Sequence, residues 1–123
     1  MSTKRKPTVL ASQVDGHSAT LQLRVDHDLL DFSGHFTHFP LLPGVTQIDW
    51  AMFYGQTLLQ CPSAFKGMEV IKFQEPILPD AQVTLSLVWD ESKAKLQFSY
   101  TSSRDGERIS HSSGKMKLGA SSD

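Results

Sequence analysis

A single cysteine, Cys61, is all the thiol the chain has, so no internal disulfide can form and a reducing compartment fits. Cys61 precedes Pro62 and has no histidine near it in sequence, so it reads as a buried or helix-end thiol and not as a nucleophile. Charge of neither sign dominates: 12 Lys and Arg against 13 Asp and Glu leave a formal net charge of −1. That excludes a global basic field for nucleic acid. The only run of like charge, Lys4-Arg5-Lys6, lies in a polar N-terminal arm and reads as a solvated, frayed terminus. Long apolar runs are missing as well. Nothing approaches a membrane-spanning length, and Pro7, Ser12, Gln13 and Asp15 break any signal-peptide core behind the basic start. A cytoplasmic location is expected. There are no internal repeats.

What is present suits one domain over residues 1–123, with about 1–6 and 119–123 flexible. A chain of this size buries about two-thirds of its unfolded surface. Pro7 to Val14 reads as a strand, and Gly16-His17-Ser18 as a turn. From Ala19 to Val25, apolar Leu21, Leu23 and Val25 alternate with Thr20, Gln22 and Arg24, the mark of a half-buried strand. Asp26 to Pro43 is a long connection without a clear period, yet Phe32, Phe36 and Phe39 argue against disorder.

From Gly44 or Val45 to Gln60 the pattern turns helical. Val45, Ile48, Ala51, Met52, Gly55, Leu58 and Leu59 form one broad stripe, with Trp50 and Tyr54 widening it, so the helix is expected to be largely enclosed. Pro62 stops it. The remainder reads as four strands. They run from Met68 to Gln74, through the alternations Val83–Trp89 and Leu96–Tyr100, and from Arg108 to Leu118. Asp105-Gly106 is a hairpin turn. On the last strand Ser110, Ser112 and Gly114 share a parity, small enough to let the helix approach. The order calls for an antiparallel sheet wrapped around one helix, and a lone helix leaves sheet edges for a second copy to cover.

The stretch Gly34-His35-Phe36-Thr37-His38-Phe39-Pro40-Leu41-Leu42-Pro43-Gly44-Val45, followed by Asp49, crowds chemistry into the entrance of that helix. Pro40 and Pro43 stiffen the approach, and Gly44 allows another molecule close to the backbone. The first turn of a helix leaves N–H groups unpaired and suits an oxygen gaining negative charge. His35 titrates near neutrality. Asp49, expected in apolar company, is expected to hold its proton more tightly. Base, acid and polarising amide are what is needed to remove a proton beside a carbonyl and expel a group beyond it. Taken singly, each has a structural reading: a hydrogen-bonded loop histidine, a helix-dipole partner, a Pro-Gly turn. Spacing alone does not choose.

The run Gly34-His35-Phe36, Pro40, Pro43-Gly44-Val45, Asp49 resembles the signature of the hot-dog-fold 3-hydroxyacyl-acyl carrier protein dehydratases. Ile71-Lys72-Phe73-Gln74-Glu75-Pro76-Ile77-Leu78-Pro79-Asp80 and the Asp105-Gly106 hairpin extend the resemblance from about Asp28 to Met116. The flanks are most like those of the small dehydratases of bacterial aryl-polyene clusters. The resemblance implies an α+β hot-dog fold, an antiparallel sheet around one long central helix, as a dimer. It makes His35 the catalytic base, Asp49 the second catalytic group, and the Gly44 amide, beside Val45, the holder of the thioester oxygen. Active sites would be shared between subunits, the partner an acyl carrier protein, and no cofactor needed.

Phe36, Phe39, Trp50 and Phe53 then become candidate walls of an acyl tunnel, with core packing an equal reading for Trp50 and Phe53. Two positions depart from the family pattern. Thr37 stands where proline is usual, and Asp49 replaces the commoner Glu, as in the dehydratase-isomerase branch, which leaves isomerisation open. A metal at His35, His38 and Asp49 lacks supporting ligands at the usual spacings. His17, His27 and His111 have no partner that the sequence names. The alternatives are a hot-dog thioesterase, which would release free acid and thiol, and a non-catalytic acyl-binding module, which would need neither His35 nor Asp49.

Overall fold

The computed structural model describes residues 4–29, 32 and 41–119. Alternating apolar residues build six strands: β1 (Thr8–Asp15), β2 (Ser18–Arg24), β3 (Ala64–Phe73), β4 (Gln82–Asp90), β5 (Lys95–Arg104) and β6 (Glu107–Gly119). They form one antiparallel sheet in the order β1-β2-β4-β5-β6-β3. The alternation sets its faces. Leu21 and Leu23 of β2, Val83, Leu85 and Leu87 of β4, and Leu96 and Tyr100 of β5 all point to one side and are buried. The residues between them face outward and are mostly exposed or half-buried.

Between β2 and β3 the chain makes one helix, α1 (Gly44–Leu59), which crosses the buried side against β2, β4 and β5. Trp50, Ala51, Tyr54 and Gly55 form its inner face. Gly55 is there because of Leu96: a Cβ at residue 55 would stand 2.8 Å from a Leu96 methyl carbon. The helix ends where Gln60 turns left-handed (φ 57°) and Cys61 N–H reaches the Gly55 carbonyl at 3.3 Å. Cys61 is buried at that end, and burial pushes its thiol up to about 11.

The β5–β6 turn, Asp105-Gly106, has positive φ at both residues (54° and 81°), as a two-residue hairpin requires. Three irregularities fall on the outer strands of the sheet: one on β1 between Val9 and Ala11, and two on β3, between Phe65 and Gly67 and between Met68 and Val70. A fourth lies in β6, where Tyr100 pairs with Ser112 and Thr101 with Ser110. His111 is the extra residue of that bulge.

Several expectations need correcting. α1 is not enclosed all round: Val45 (71% exposed), Asp49, Phe53 and Thr57 form an outward stripe. The enclosed side also includes the polar Thr46 and Gln47, neither of which belongs to the apolar stripe read from the sequence. Residues 4–6 make contacts that the sequence did not suggest. Lys4 Nζ lies 3.0 Å from Asp26, the Arg5 carbonyl accepts from Trp50 Nε1 at 2.9 Å, and the Lys6 ammonium sits 4.6 Å from the Phe53 ring centroid. β3 begins at Ala64, four residues before the expected Met68. Ser110 is exposed, because the bulge puts it out of step with Ser112.

Candidate active site

The site is built around the N-terminus of α1. Pro43 precedes the helix and offers no side-chain cap. The N–H groups of Thr46 and Gln47 reach back to the Pro43 carbonyl at 3.1 and 3.2 Å. Those of Gly44 and Val45 meet no acceptor among the described residues. They are the open donors the sequence suggested. Gly44 has no side chain for a visible reason: a Cβ there would lie 2.6 Å from the tip of the Phe73 ring.

Beside Gly44 lies a cavity of about 250 Å³, walled by Leu41, Leu42, Phe73 and Pro76, with Gln47 and His111 at its polar end. Leu42 is pinned on both sides of its peptide unit. Its N–H donates to the Ile77 carbonyl at 2.8 Å, and its carbonyl accepts from Gln47 Nε2 at 3.2 Å. The turn from Pro76 to Asp80 is fastened in its turn: Asp80 N–H reaches Val25 O at 2.6 Å, and Asp80 Oδ1 accepts from His27 N–H at 3.0 Å. His27 and Asp80 also pair side chain to side chain, which raises the imidazole and lowers the carboxyl.

Asp49 sits on the outward stripe between Val45 and Phe53, which lie about one turn to either side of it along the helix. The sequence placed it in apolar company; within one chain it is exposed, because that stripe faces away from the sheet. Of the two readings the sequence left open for Trp50, tunnel wall and core packing, burial favours the second. It is core, 1% exposed, with its indole N–H spent on Arg5. Phe53 is neither core nor covered wall, being 42% exposed and edge-to-face with Tyr54. Tyr100, fully enclosed, donates to the Gln47 carbonyl at 2.7 Å. Burial above all, and then the Tyr54 and Asp49 charges, hold its phenol well above the usual range.

His35, Phe36, Phe39 and His38 lie outside the described residues, as does Thr37, so the candidate base, two candidate tunnel walls and the metal alternative fall there. Two residues of the site escaped the sequence reading. Gln47 was counted as neither core nor site, and His111 was left without a partner. His111 is 5% exposed, whereas strand parity would have turned it outward; only the bulge brings it in.

Comparison with known proteins adds an independent line. Residues 11–115 match the model of the ApeI-like family, described as ApeI dehydratase. A 3-hydroxyacyl-[acyl-carrier-protein] dehydratase FabZ of Koribacter versatilis is 36% identical over 76 residues, covering 53% of this chain and 49% of that protein. The chain thus spans about half the length of the FabZ relatives it matches. Among solved structures, an uncharacterized protein from Erwinia carotovora subsp. atroseptica is similar at 41% identity and a TM-score of 0.84, over 96% of this chain and 99% of that one. The dehydratase heterocomplex ApeI:P from Xenorhabdus doucetiae is similar at 42% identity and a TM-score of 0.78, over 91% and 96%. The fold expected from sequence, an antiparallel sheet on one long helix of the hot-dog type, is the fold observed.

Proposed function

This chain belongs to the ApeI-like dehydratase family, and from that premise we propose that it removes water from 3-hydroxyacyl thioesters on an acyl carrier protein. The product is the trans-2-enoyl thioester, made in the cytoplasm in aryl-polyene or fatty-acid-like synthesis. The observation that carries the reading is the open pair of N–H groups at Gly44 and Val45, set beside an apolar cavity with Asp49 on the same helix. A thioester oxygen that accepts from Gly44 N–H makes the neighbouring α-proton more acidic. His35 takes that proton. The electron pair forms the α–β double bond, the β-hydroxyl leaves, and Asp49 delivers a proton to it, directly or through an ordered water. One proton is taken up and one given, so no oxidant, metal or nucleotide is required.

The active form is a homodimer with shared sites. Two features support this. α1 covers β2, β4 and β5, while Phe65, Ile71 and Phe73 on the same side of β3 stay 48%, 38% and 51% exposed. Asp49, on the outward stripe, needs a second chain to enclose it. The similarity to a heterocomplex gives a second reading, in which the partner is a related but different chain.

The test is incubation of the purified protein with a 3-hydroxyacyl carrier thioester and mass analysis of the carrier. Loss of water with the thioester intact supports dehydration. Free carrier thiol points to a thioesterase, and unchanged substrate points to a binding module. Activity that appears only after co-expression with a second hot-dog chain replaces the homodimer by the heterodimer.

A further inference from the structure

The bulge in β6 does something a regular strand cannot: it turns two successive residues, His111 and Ser112, to the inside, 5% and 1% exposed. Each begins a line of hydrogen bonds. His111 Nδ1 lies 3.0 Å from the Glu75 carbonyl, and Nε2 lies 2.7 Å from Ser102 Oγ. A carbonyl only accepts, so Nδ1 carries the hydrogen and donates to Glu75, while Nε2 pairs with the Ser102 hydroxyl. From Glu75 the chain runs through Pro76 to Ile77, whose carbonyl holds Leu42 N–H. The second line starts at Ser112, whose hydroxyl donates to Gln47 Oε1 at 2.6 Å, while Gln47 Nε2 donates to the Leu42 carbonyl. Both lines end on Leu42, two residues before Gly44, and both His111 and Gln47 line the cavity beside Gly44.

Packing alone does not call for such a cluster. A buried amide or imidazole that loses a partner is destabilising, whereas apolar residues would fill the same space without that liability. A fully satisfied polar chain has another use, which is to fix one geometry. We propose that His111 is a positioning residue. Together with Gln47 it sets Leu42, and through Leu42 the Gly44 amide, where the thioester oxygen of the substrate must bind. The inference rests on the reading of Gly44 given above.

The experiment compares His111→Leu, which loses both bonds, with His111→Asn, whose amide can still donate to Glu75 from the Nδ1 position. A misplacement of about 1 Å at an active site lowers the rate about 10²-fold. His111→Leu is therefore expected to lower kcat by roughly 10–100-fold on a small thioester with KM little changed, and His111→Asn to recover most of it. Circular dichroism and melting temperature report the fold. If His111→Leu fails to fold, His111→Gln takes its place, since its amide reaches the Nε2 position only.

A binding readout needs no turnover. The wild type should prefer an unreactive acyl amide over the matching ether, which lacks the carbonyl oxygen, and His111→Leu should lose that preference. Wild-type kcat and an undiminished preference in His111→Leu would overturn the proposal while leaving the dehydratase reading standing. A wild type that shows no preference for the carbonyl would remove the Gly44 reading, and this proposal with it.

Discussion

Asp49 and His35 are the two residues on which the proposed chemistry depends. Asp49 projects from a helix whose inner face is anchored by Trp50 and Tyr54, so changing it to Asn leaves the core untouched. His35→Ala and Asp49→Asn are each expected to lower dehydration by ~10²–10⁴ with an unchanged far-ultraviolet spectrum, since that is the usual effect of a lost base or acid. Enoyl formation is the readout; near-normal turnover in either variant takes that residue out of the mechanism. The place of Asp49 in the first turns of the helix was legible in the sequence, because its distance from Pro43-Gly44 is a property of the chain. Its exposure was not, because side-chain identity does not say which arc of a helix a sheet will cover. His111 was illegible for a stricter reason. One bulge shifts the phase of a strand, and nothing in Ser110-His111-Ser112 announces it.

The elements were easier to read than their ends and faces. Alternation in β2, β4 and β5 follows from one buried side, and the Asp105-Gly106 turn from its backbone angles. Gly55 offers a test of how tightly α1 sits on β5. Alanine at residue 55 gains helix propensity but drives a Cβ to 2.8 Å from Leu96, which is fully buried and has no room to yield. Overpacking of this kind costs about 1–3 kcal/mol, so Gly55→Ala should lower the denaturant midpoint in spite of the better helix former. An unchanged or raised midpoint would mean that helix and sheet can part without cost.

A second test concerns the end of β2. Asp26 is 6% exposed and, although burial works to raise its pKa, hydrogen bonds from Arg24, Thr8 and Lys4 outweigh it and hold the carboxyl below the usual range. A lowered folded pKa contributes stability that is complete above the ordinary value near 4 and fades as pH falls through the folded one. Asp26→Asn should therefore melt earlier at pH 7, by an amount corresponding to about 1.5–3 kcal/mol, and the gap should shrink as the pH is taken below about 4. A gap that is constant with pH would assign the effect to shape and not to charge.

At the scale of the whole molecule, a site split between chains makes a sharp forecast. Inactive His35→Ala subunits mixed with inactive Asp49→Asn subunits should regain activity, because each heterodimer assembles one complete site. Silence after verified subunit exchange would place base and acid on the same chain. The carrier protein should be felt at a distance from the chemistry. Lys72 lies on the outward side of β3, opposite Ser113, and Lys66 lies nearer the start of that strand. Changing Lys66 and Lys72 to Glu should raise KM for carrier-bound substrate, more at low salt, and leave a small thioester unaffected. Equal losses on both substrates would put the docking face elsewhere.

The outermost strands of the sheet, β1 and β3, are also the ones that break step, β1 once and β3 twice. An uninterrupted outer strand offers every passing chain the same ladder of donors and acceptors, and so invites endless addition. A ladder with missing rungs accepts only a chain broken at matching places. The irregular spacing of β3 thus works like the teeth of a key, narrowing the set of strands whose ladder could match it. Breaks of this kind blunt a border on which Phe65, Ile71 and Phe73 are exposed, and work against the open-ended growth of the sheet.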